Sequence, residues 1–176
     1  MSGVHDLLPT RLAHRLMVAT LALLVVCAGA GAASAQSLLA RWVDRDGAEL
    51  ASRSVDLDVL EGLDGRTIET STPWTEGVTR FDGPRLSAIA ALEPGALVEA
   101  RLTALNDYAI SIPAEDIVAH EPILASRLAG ERMRVRDRGP LWLVHDLDSD
   151  PALQTQRYHA QMIWQVRDVV FVVDTP

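Results

Sequence analysis

The amino-acid sequence predicts an α+β fold with a mixed β-sheet and short helices. Three observations lead to this class. Short runs with strand-like patterns outnumber runs with helical spacing, the helical runs interrupt the strands irregularly, and turn-forming Gly, Pro and Asp separate them. A doubly wound fold would alternate strands and helices regularly. The sequence contains no internal repeat, low-complexity segment or heptad run.

The first elements follow from strand propensity and turn signals. "LLARWV" (38–43) alternates weakly and ends at the turn "DRDG", which predicts a strand and a hairpin. "DLDVLEGL" (56–63) predicts a short capped helix. "RTIETSTPW" (66–74) predicts a strand that Pro73 stops, and "GVTRFDG" (77–83) predicts the next strand.

The central elements have clearer periodicity. "GPRLSAIAAL" (83–92) has Pro near its start and apolar residues at helical spacing, which predicts a helix. "ALVEARLTAL" (96–105) and "YAISIP" (108–113) alternate and predict two strands. "AEDIVAHEPIL" (114–124) predicts a helix that begins at Ala114.

The C-terminal part is predicted to return to strands. "ASRLAGERM" (125–133) reads as a hairpin with Gly130 in its turn, and "GPLWLVHDL" (139–147) as a buried strand, because it is almost continuously apolar. "DPALQTQRYHAQMIW" (150–164) predicts a loop with helical turns. "VRDVVFVV" (166–173) predicts the last strand.

Residues 1–35 have the pattern of a secretory signal peptide. A basic segment is followed by an uncharged apolar run (16–32) and by Ala33, Ser34 and Ala35, a small-residue cleavage site. We therefore expect cleavage before Gln36, a periplasmic location and one domain over residues 36–176. An uncleaved membrane anchor is the alternative, and the A-x-A pattern argues against it. A lipoprotein at Cys27 is a minor alternative, because the preceding Val26 is large for such a site.

Composition excludes several classes of function for the predicted mature chain. Removing Arg11, Arg15 and Asp6 with the leader leaves 14 Arg against 23 acidic residues, a net charge of −9. An acidic domain without a basic stripe is poorly suited to bind nucleic acid or an anionic membrane. Cys27 is the only cysteine, so the expected mature chain has no disulfide and no thiolate metal ligand.

Four stretches, in this order, resemble the molybdopterin-binding domain of the sulfite oxidase family. Each matches a motif of that family only loosely, but their common order is specific. They are "FDGPRLSAIAAL" (81–92), "ALNDYAISIP" (104–113), "ILASRLAGERMRVRDRGPLWLV" (123–144) and "MIWQVRDVVF" (162–171). The resemblance spans roughly residues 55–173 and implies a sulfite-oxidase-like fold.

The departures from the family pattern bear on the cofactor. The stretch "TIETSTPWTEG" (67–77), where the family's enzymes carry a molybdenum-ligating cysteine, holds no soft ligand. Trp142 replaces a family arginine, and the loop that binds the cofactor's phosphate has become "QRYHAQMIW" (156–164), in which Arg157 and His159 are the only cationic candidates. The pattern is similar to that of small periplasmic pterin-binding proteins, which relay pterin status to an inner-membrane enzyme of cyclic di-GMP metabolism.

This resemblance implies a site for a tetrahydropterin, with a molybdenum cofactor disfavoured. The expected ligand-binding residues are Thr72, Trp74, Asn106, Asp107, Tyr108, Arg138, Arg157, His159 and Trp164. Trp74 and Trp164 would stack on the flat ring, and Asp107 would accept hydrogen bonds from its donor edge. The plainer alternatives are core packing for the tryptophans and a turn role for Asp107. Trp42 and Trp142 are expected to be structural.

The run "RMRVRDRG" (132–139) places four arginines at a period of two, which on a strand would align them on one face. We interpret Arg132 and Arg134 as a solvated edge and Arg138 as reaching the ligand. The histidines have no metal-ligand spacing, and no catalytic motif is recognisable. The leading prediction is a non-catalytic pterin-binding partner of a membrane signalling protein. A molybdopterin-dependent oxidoreductase and an interaction module without a ligand are the alternatives.

Overall fold

The computed structural model describes residues 36–175, so the predicted signal peptide and its cleavage site lie outside the described residues. Among residues 36–175 the elements, in chain order, are eleven strands and four short α-helices. They are β1 Ser37–Val43, β2 Glu49–Asp56, α1 Leu57–Glu61, β3 Gly65–Ser71, β4 Val78–Pro84, α2 Leu86–Ala90, β5 Ala96–Ala104, β6 Ala109–Pro113, α3 Ala114–His120, β7 Ile123–Ala125, β8 Arg127–Leu128, β9 Glu131–Arg132, β10 Trp142–Val144, α4 Gln156–Gln161 and β11 Val166–Asp174.

The strands of the described part of the chain form three sheets, and the largest is mixed. Its order is β2-β1-β11-β5-β6, with β1 and β11 parallel and the other neighbours antiparallel. A second sheet has the order β3-β4-β8-β9, and β7 pairs with β10 in a third. This architecture confirms the predicted α+β class with a mixed sheet.

Buried side chains within residues 36–175 form two apolar cores. The larger core contains the inward side chains of the five-stranded sheet, among them Trp42 and Phe171. The smaller core contains side chains of the second and third sheets, among them Phe81 and Trp142. Trp42 and Trp142 are fully buried, and their indole N–H groups donate to the carbonyl oxygens of Ala90 and Met162. The structural role predicted for both residues is confirmed.

The hairpin over β8 and β9 is confirmed, but the helix predicted over 114–124 is too long. The helix α3 ends at His120, and Glu121 adopts a left-handed conformation with φ of 43°. Pro122 follows and disfavours a helical conformation in the residue before it. Ile123 and Leu124 then pair with β10 instead of continuing the helix.

The expectation that the four arginines of residues 132–139 share one face of a strand is wrong. Strand β9 ends at Arg132, and residues Val135–Asp137 form a 3₁₀ turn that breaks the period of two. Arg132 instead pairs with Glu61 and Asp58, while Arg134 pairs with Asp137. Within residues 36–175, no helix is both long and apolar enough to cross a membrane.

Candidate functional site

An aromatic cavity lies where the two cores meet. Its volume is about 260 Å³, and its wall includes Ala104 and Ile163 from the larger core and Met162 from the smaller one. The remaining lining residues are Trp74, Asn106, Tyr108, His159, Ala160 and Trp164. Five of the nine residues predicted from the sequence therefore line one cavity, and they come from three separate segments of the chain.

The loop after β3 places Trp74 in the wall. The hydroxyl of Thr72 accepts a hydrogen bond from the backbone N–H of Trp74 at 3.1 Å and lies 2.9 Å from the hydroxyl of Thr75. Asp148 fixes the end of β3, because its carboxylate accepts hydrogen bonds from the backbone N–H and the hydroxyl of Ser71 at 2.6 and 2.7 Å. Thr72 thus supports the loop that carries Trp74 and is itself outside the lining.

Trp74 is the centre of an aromatic cluster. Its ring meets those of Trp164, Trp142 and His159 edge to face, with centroid distances of 5.4, 6.2 and 6.3 Å. Trp142 is fully buried, whereas Trp74 and Trp164 are half-buried. The two half-buried rings contact each other, so a flat ligand would stack on an exposed ring face and would not fit between them.

Arg138 lies beside this cluster. Its guanidinium carbon is 5.3 Å from the Trp142 ring centroid and 5.9 Å from that of Trp164, within the range of a cation–π contact. Arg138 does not line the cavity. Its guanidinium instead lies over the Trp142 and Trp164 rings, which places a positive charge near the Trp164 ring.

Polar groups are concentrated at one side of the cavity. The hydroxyl of Tyr108 donates to the carbonyl oxygen of Ala160 at 3.2 Å, and the side-chain oxygen of Asn106 accepts from the backbone N–H of Tyr108 at 3.2 Å. The Nε2 atom of His159 is buried and has no hydrogen-bond partner among residues 36–175. Amide, hydroxyl and imidazole groups are therefore available beside an aromatic wall.

Asp107 points away from the lining. Its φ of 64° is left-handed, its backbone N–H donates to the carbonyl oxygen of Ala104 at 3.1 Å, and its side chain is 80% exposed. The carboxylate lies 2.9 Å from the guanidinium of Arg167. This geometry matches the turn role given above as the alternative, and the ligand role of Asp107 stays a prediction without support from the geometry.

Arg157 also lies outside the lining, because a buried carboxylate attracts it. Its guanidinium donates to Asp116 at 2.5 Å on the side of α4 away from the cavity. The remaining lining residues, Ala104, Ala160, Met162 and Ile163, were not predicted. Three of them lie in the stretch 156–164, which was expected to contain site residues. Small and apolar side chains do not stand out in the sequence as ligand-binding residues, so they were not predicted individually.

Comparison with known proteins supports the fold. No protein-family model matches the chain, and no curated protein sequence matches it. The chain is similar to the crystal structure of the sulfane dehydrogenase SoxCD from Paracoccus pantotrophus, with a TM-score of 0.54 and 16% sequence identity. The match covers 82% of this chain and 40% of that one, so this chain spans less than half of its length. The likeness supports the sulfite-oxidase-like fold predicted from the sequence.

The side chains around the cavity do not fit the molybdenum cofactor that this fold implies. Residues 36–175 contain no cysteine, since the only one is Cys27, and they hold no group of three His, Cys, Asp or Glu side chains arranged to bind a metal. The part of the lining that these residues form also has no Arg or Lys to bind a phosphate. The described residues therefore offer no thiolate to bind the metal, and the described lining offers no cation to bind the phosphate of the cofactor.

Proposed function

We propose that the protein binds a reduced, unphosphorylated pterin in the aromatic cavity and is not an enzyme. The observation that carries this proposal is the pair of half-buried rings, Trp74 and Trp164, in the wall of a cavity of about 260 Å³. That volume is close to the lower end of typical small-molecule sites, about 300 Å³. A bicyclic ring of two six-membered rings suits a pocket of this size.

The polar side of the cavity suits the edge of such a ring. A pterin carries adjacent N–H donors and ring acceptors, and Asn106, His159 and the carbonyl oxygen of Ala160 offer both kinds of partner. The unpaired Nε2 of His159 supports this assignment, because a buried polar atom without a partner is costly unless a ligand satisfies it. In this arrangement amide and carbonyl groups form the hydrogen bonds to the pterin edge that were expected from the Asp107 carboxylate.

Charge favours a neutral ligand. Among the described residues, the cavity lining contains no Arg, Lys, Asp or Glu, so a phosphate group would lose its hydration without gaining an ion pair. A pterin with a phosphate on its side chain should therefore bind more weakly than the unphosphorylated form. The same absence of basic groups argues against a nucleotide.

The direct test is an anaerobic calorimetric titration of the purified protein with tetrahydrobiopterin, followed in parallel by tryptophan fluorescence. We expect saturable 1:1 binding with quenching of tryptophan emission, and weaker binding of a phosphorylated pterin. A titration without heat or quenching at millimolar pterin would overturn the proposal. Equal affinity for the phosphorylated form would contradict the neutral-ligand assignment.

We further propose that the pterin-bound protein acts in the periplasm on the external part of a membrane-bound cyclic di-GMP enzyme. Leu105 lies between the lining residues Ala104 and Asn106, and Tyr108 lines the cavity itself. Each is 47% exposed, and together they give the cavity an apolar rim. Exposed apolar residues around a binding site are suited to a partner surface that senses occupancy. Leu105→Glu should keep pterin affinity and abolish the cellular cyclic di-GMP response to pterin depletion. An unchanged response would remove this rim from the partner contact.

A further inference from the structure

The carboxylate of Asp116 accepts hydrogen bonds from three side chains of a single helix. This residue of α3 is only 6% exposed, and it accepts hydrogen bonds from Arg157 at 2.5 Å, from the hydroxyl of Tyr158 at 3.3 Å and from the side-chain amide of Gln161 at 3.4 Å. All three donors belong to α4. A buried carboxylate is costly without partners, so the position of α4 and the burial of the Asp116 carboxylate depend on each other.

The helix α4 has little intrinsic stability. It has six residues, and its N-cap residue, Thr155, makes no side-chain capping bond. Isolated helices of fewer than about 12 residues are marginal in water, so contacts with the rest of the protein must hold α4 in place. The ring of Tyr158 lies between His120 and His145, each 5.3 Å away between centroids, and its hydroxyl is 3.2 Å from Nε2 of His120.

The opposite side of α4 forms part of the cavity wall. His159 and Ala160 line the cavity, and Tyr108 donates its hydroxyl hydrogen bond to the Ala160 carbonyl oxygen. Met162 and Trp164 follow directly in the chain and also line it. A shift of α4 would therefore move the polar side of the cavity together with one of its two half-buried tryptophan rings.

We infer that Asp116 is a positioning residue for the ligand cavity, which sets the affinity for the pterin through α4 without touching the ligand. This inference rests on the proposed function for its ligand, but the ordering of α4 by Asp116 is independent of it. When only a fraction of molecules has the wall in place, the apparent dissociation constant rises in inverse proportion to that fraction. Loss of the carboxylate lowers the fraction, because Arg157, Tyr158 and Gln161 lose their common acceptor.

The test compares Asp116→Asn with Glu115→Gln, a matched loss of one carboxylate at the exposed neighbouring position of α3. Amide hydrogen exchange of residues 156–161 and tetrahydrobiopterin affinity are measured on both variants and on the unmodified protein. In Asp116→Asn we expect about tenfold faster exchange confined to α4, and about tenfold weaker binding. Glu115→Gln should change neither quantity.

Arg157→Ala supplies a second variant, which removes a side chain that is 55% exposed and leaves Tyr158 and Gln161 as donors to the Asp116 carboxylate. As a single substitution, Arg157→Ala should increase the rate of amide hydrogen exchange in α4. Added to Asp116→Asn, it should increase that rate little further. Unchanged exchange in α4 of Asp116→Asn, or faster exchange spread evenly over the whole chain, overturns the inference. So does faster exchange in α4 with unchanged affinity. If the unmodified protein does not bind the pterin, the proposed function fails, and the exchange data alone decide whether Asp116 orders α4.

Discussion

The indole rings of Trp74 and Trp164 meet edge to face, with centroids 5.4 Å apart and planes at 74°. Trp74 comes from the loop after β3, and Trp164 from the segment between α4 and β11. Their contact joins the two segments in which the sulfite oxidase family would hold its metal and its phosphate, according to the sequence resemblance. In this protein both segments contribute aromatic rings to one cavity wall.

Trp74→Ala should reduce pterin affinity more than it reduces stability. Removing one stacking ring costs about 1–3 kcal/mol of binding free energy, which corresponds to a dissociation constant about 5- to 150-fold larger. Trp74 is half-buried, so the loss in free energy of unfolding should stay below the roughly 3–5 kcal/mol typical of a core aromatic residue. Calorimetric titration and urea unfolding of the same variant measure both quantities. Unchanged affinity with a large loss of stability would assign Trp74 to the core alone.

Protein produced in a host that makes molybdenum cofactor should contain no stoichiometric molybdenum. The reason is the donor set, because residues 36–175 offer no thiolate and the cavity lining offers no cation for a phosphate. Elemental analysis is the measurement, with a known molybdenum enzyme from the same host as the positive control. Near-stoichiometric molybdenum would favour the oxidoreductase alternative.

Asp107→Asn should leave pterin affinity unchanged, because the Asp107 side chain lies outside the cavity lining. Asn tolerates the left-handed backbone at this position, whereas Asp107→Ala should lower the free energy of unfolding by about 1 kcal/mol. Titration and thermal unfolding of both variants distinguish the turn role from a ligand role. A 5- to 150-fold loss of affinity in a folded Asp107→Asn, about the cost of an unpaired buried donor, would return Asp107 to the site.

The sequence predicted best what depends on local pattern. The strands β5 and β11 follow their apolar periodicity, and the tryptophans of the site stand out because the chain has few aromatic residues. The direction of polar side chains depends on distant partners that no local pattern encodes. Arg157 is turned from the cavity by Asp116, 41 positions away in the chain. Asp107 is turned outward by a left-handed turn that Asn or Gly could equally have formed.

Because of His145, the free energy of unfolding should decrease as the pH falls from about 6.5 to about 4. His145 is fully buried, and its pKa is lowered to about 4. Burial is the main cause and the charge of His120 adds to it, whereas Gln161 and Asp116 partly oppose the shift. Although Gln161 is near enough to affect this pKa, neither ring nitrogen of His145 has a hydrogen-bond partner of normal geometry within residues 36–175. In the unfolded chain a histidine has a pKa of about 6.5.

The sign of the effect follows from proton binding. Between these two pKa values the unfolded chain binds a proton that the folded protein does not, so the free energy of unfolding falls as the pH decreases through this window. The full loss for this group is roughly 3 kcal/mol, reached near pH 4. His145→Leu removes the titration, and it breaks no hydrogen bond among the described residues, so its stability should depend less on pH in this range. Urea unfolding at pH 7, 6, 5 and 4 measures the difference.

Glu61→Gln is the control for this experiment, because Glu61 titrates in a different range. Burial alone would raise the pKa of Glu61, but hydrogen bonds from Arg132, Arg127 and Ser126 outweigh it and lower the pKa to about 2. The unfolded value is about 4.3, so Glu61 contributes stability that is lost only as the pH falls below that value. Glu61→Gln should therefore be less stable than the unmodified protein at pH 7 and keep its slope between pH 6.5 and 5. A slope in His145→Leu equal to that of the unmodified protein would show that other groups cause the loss.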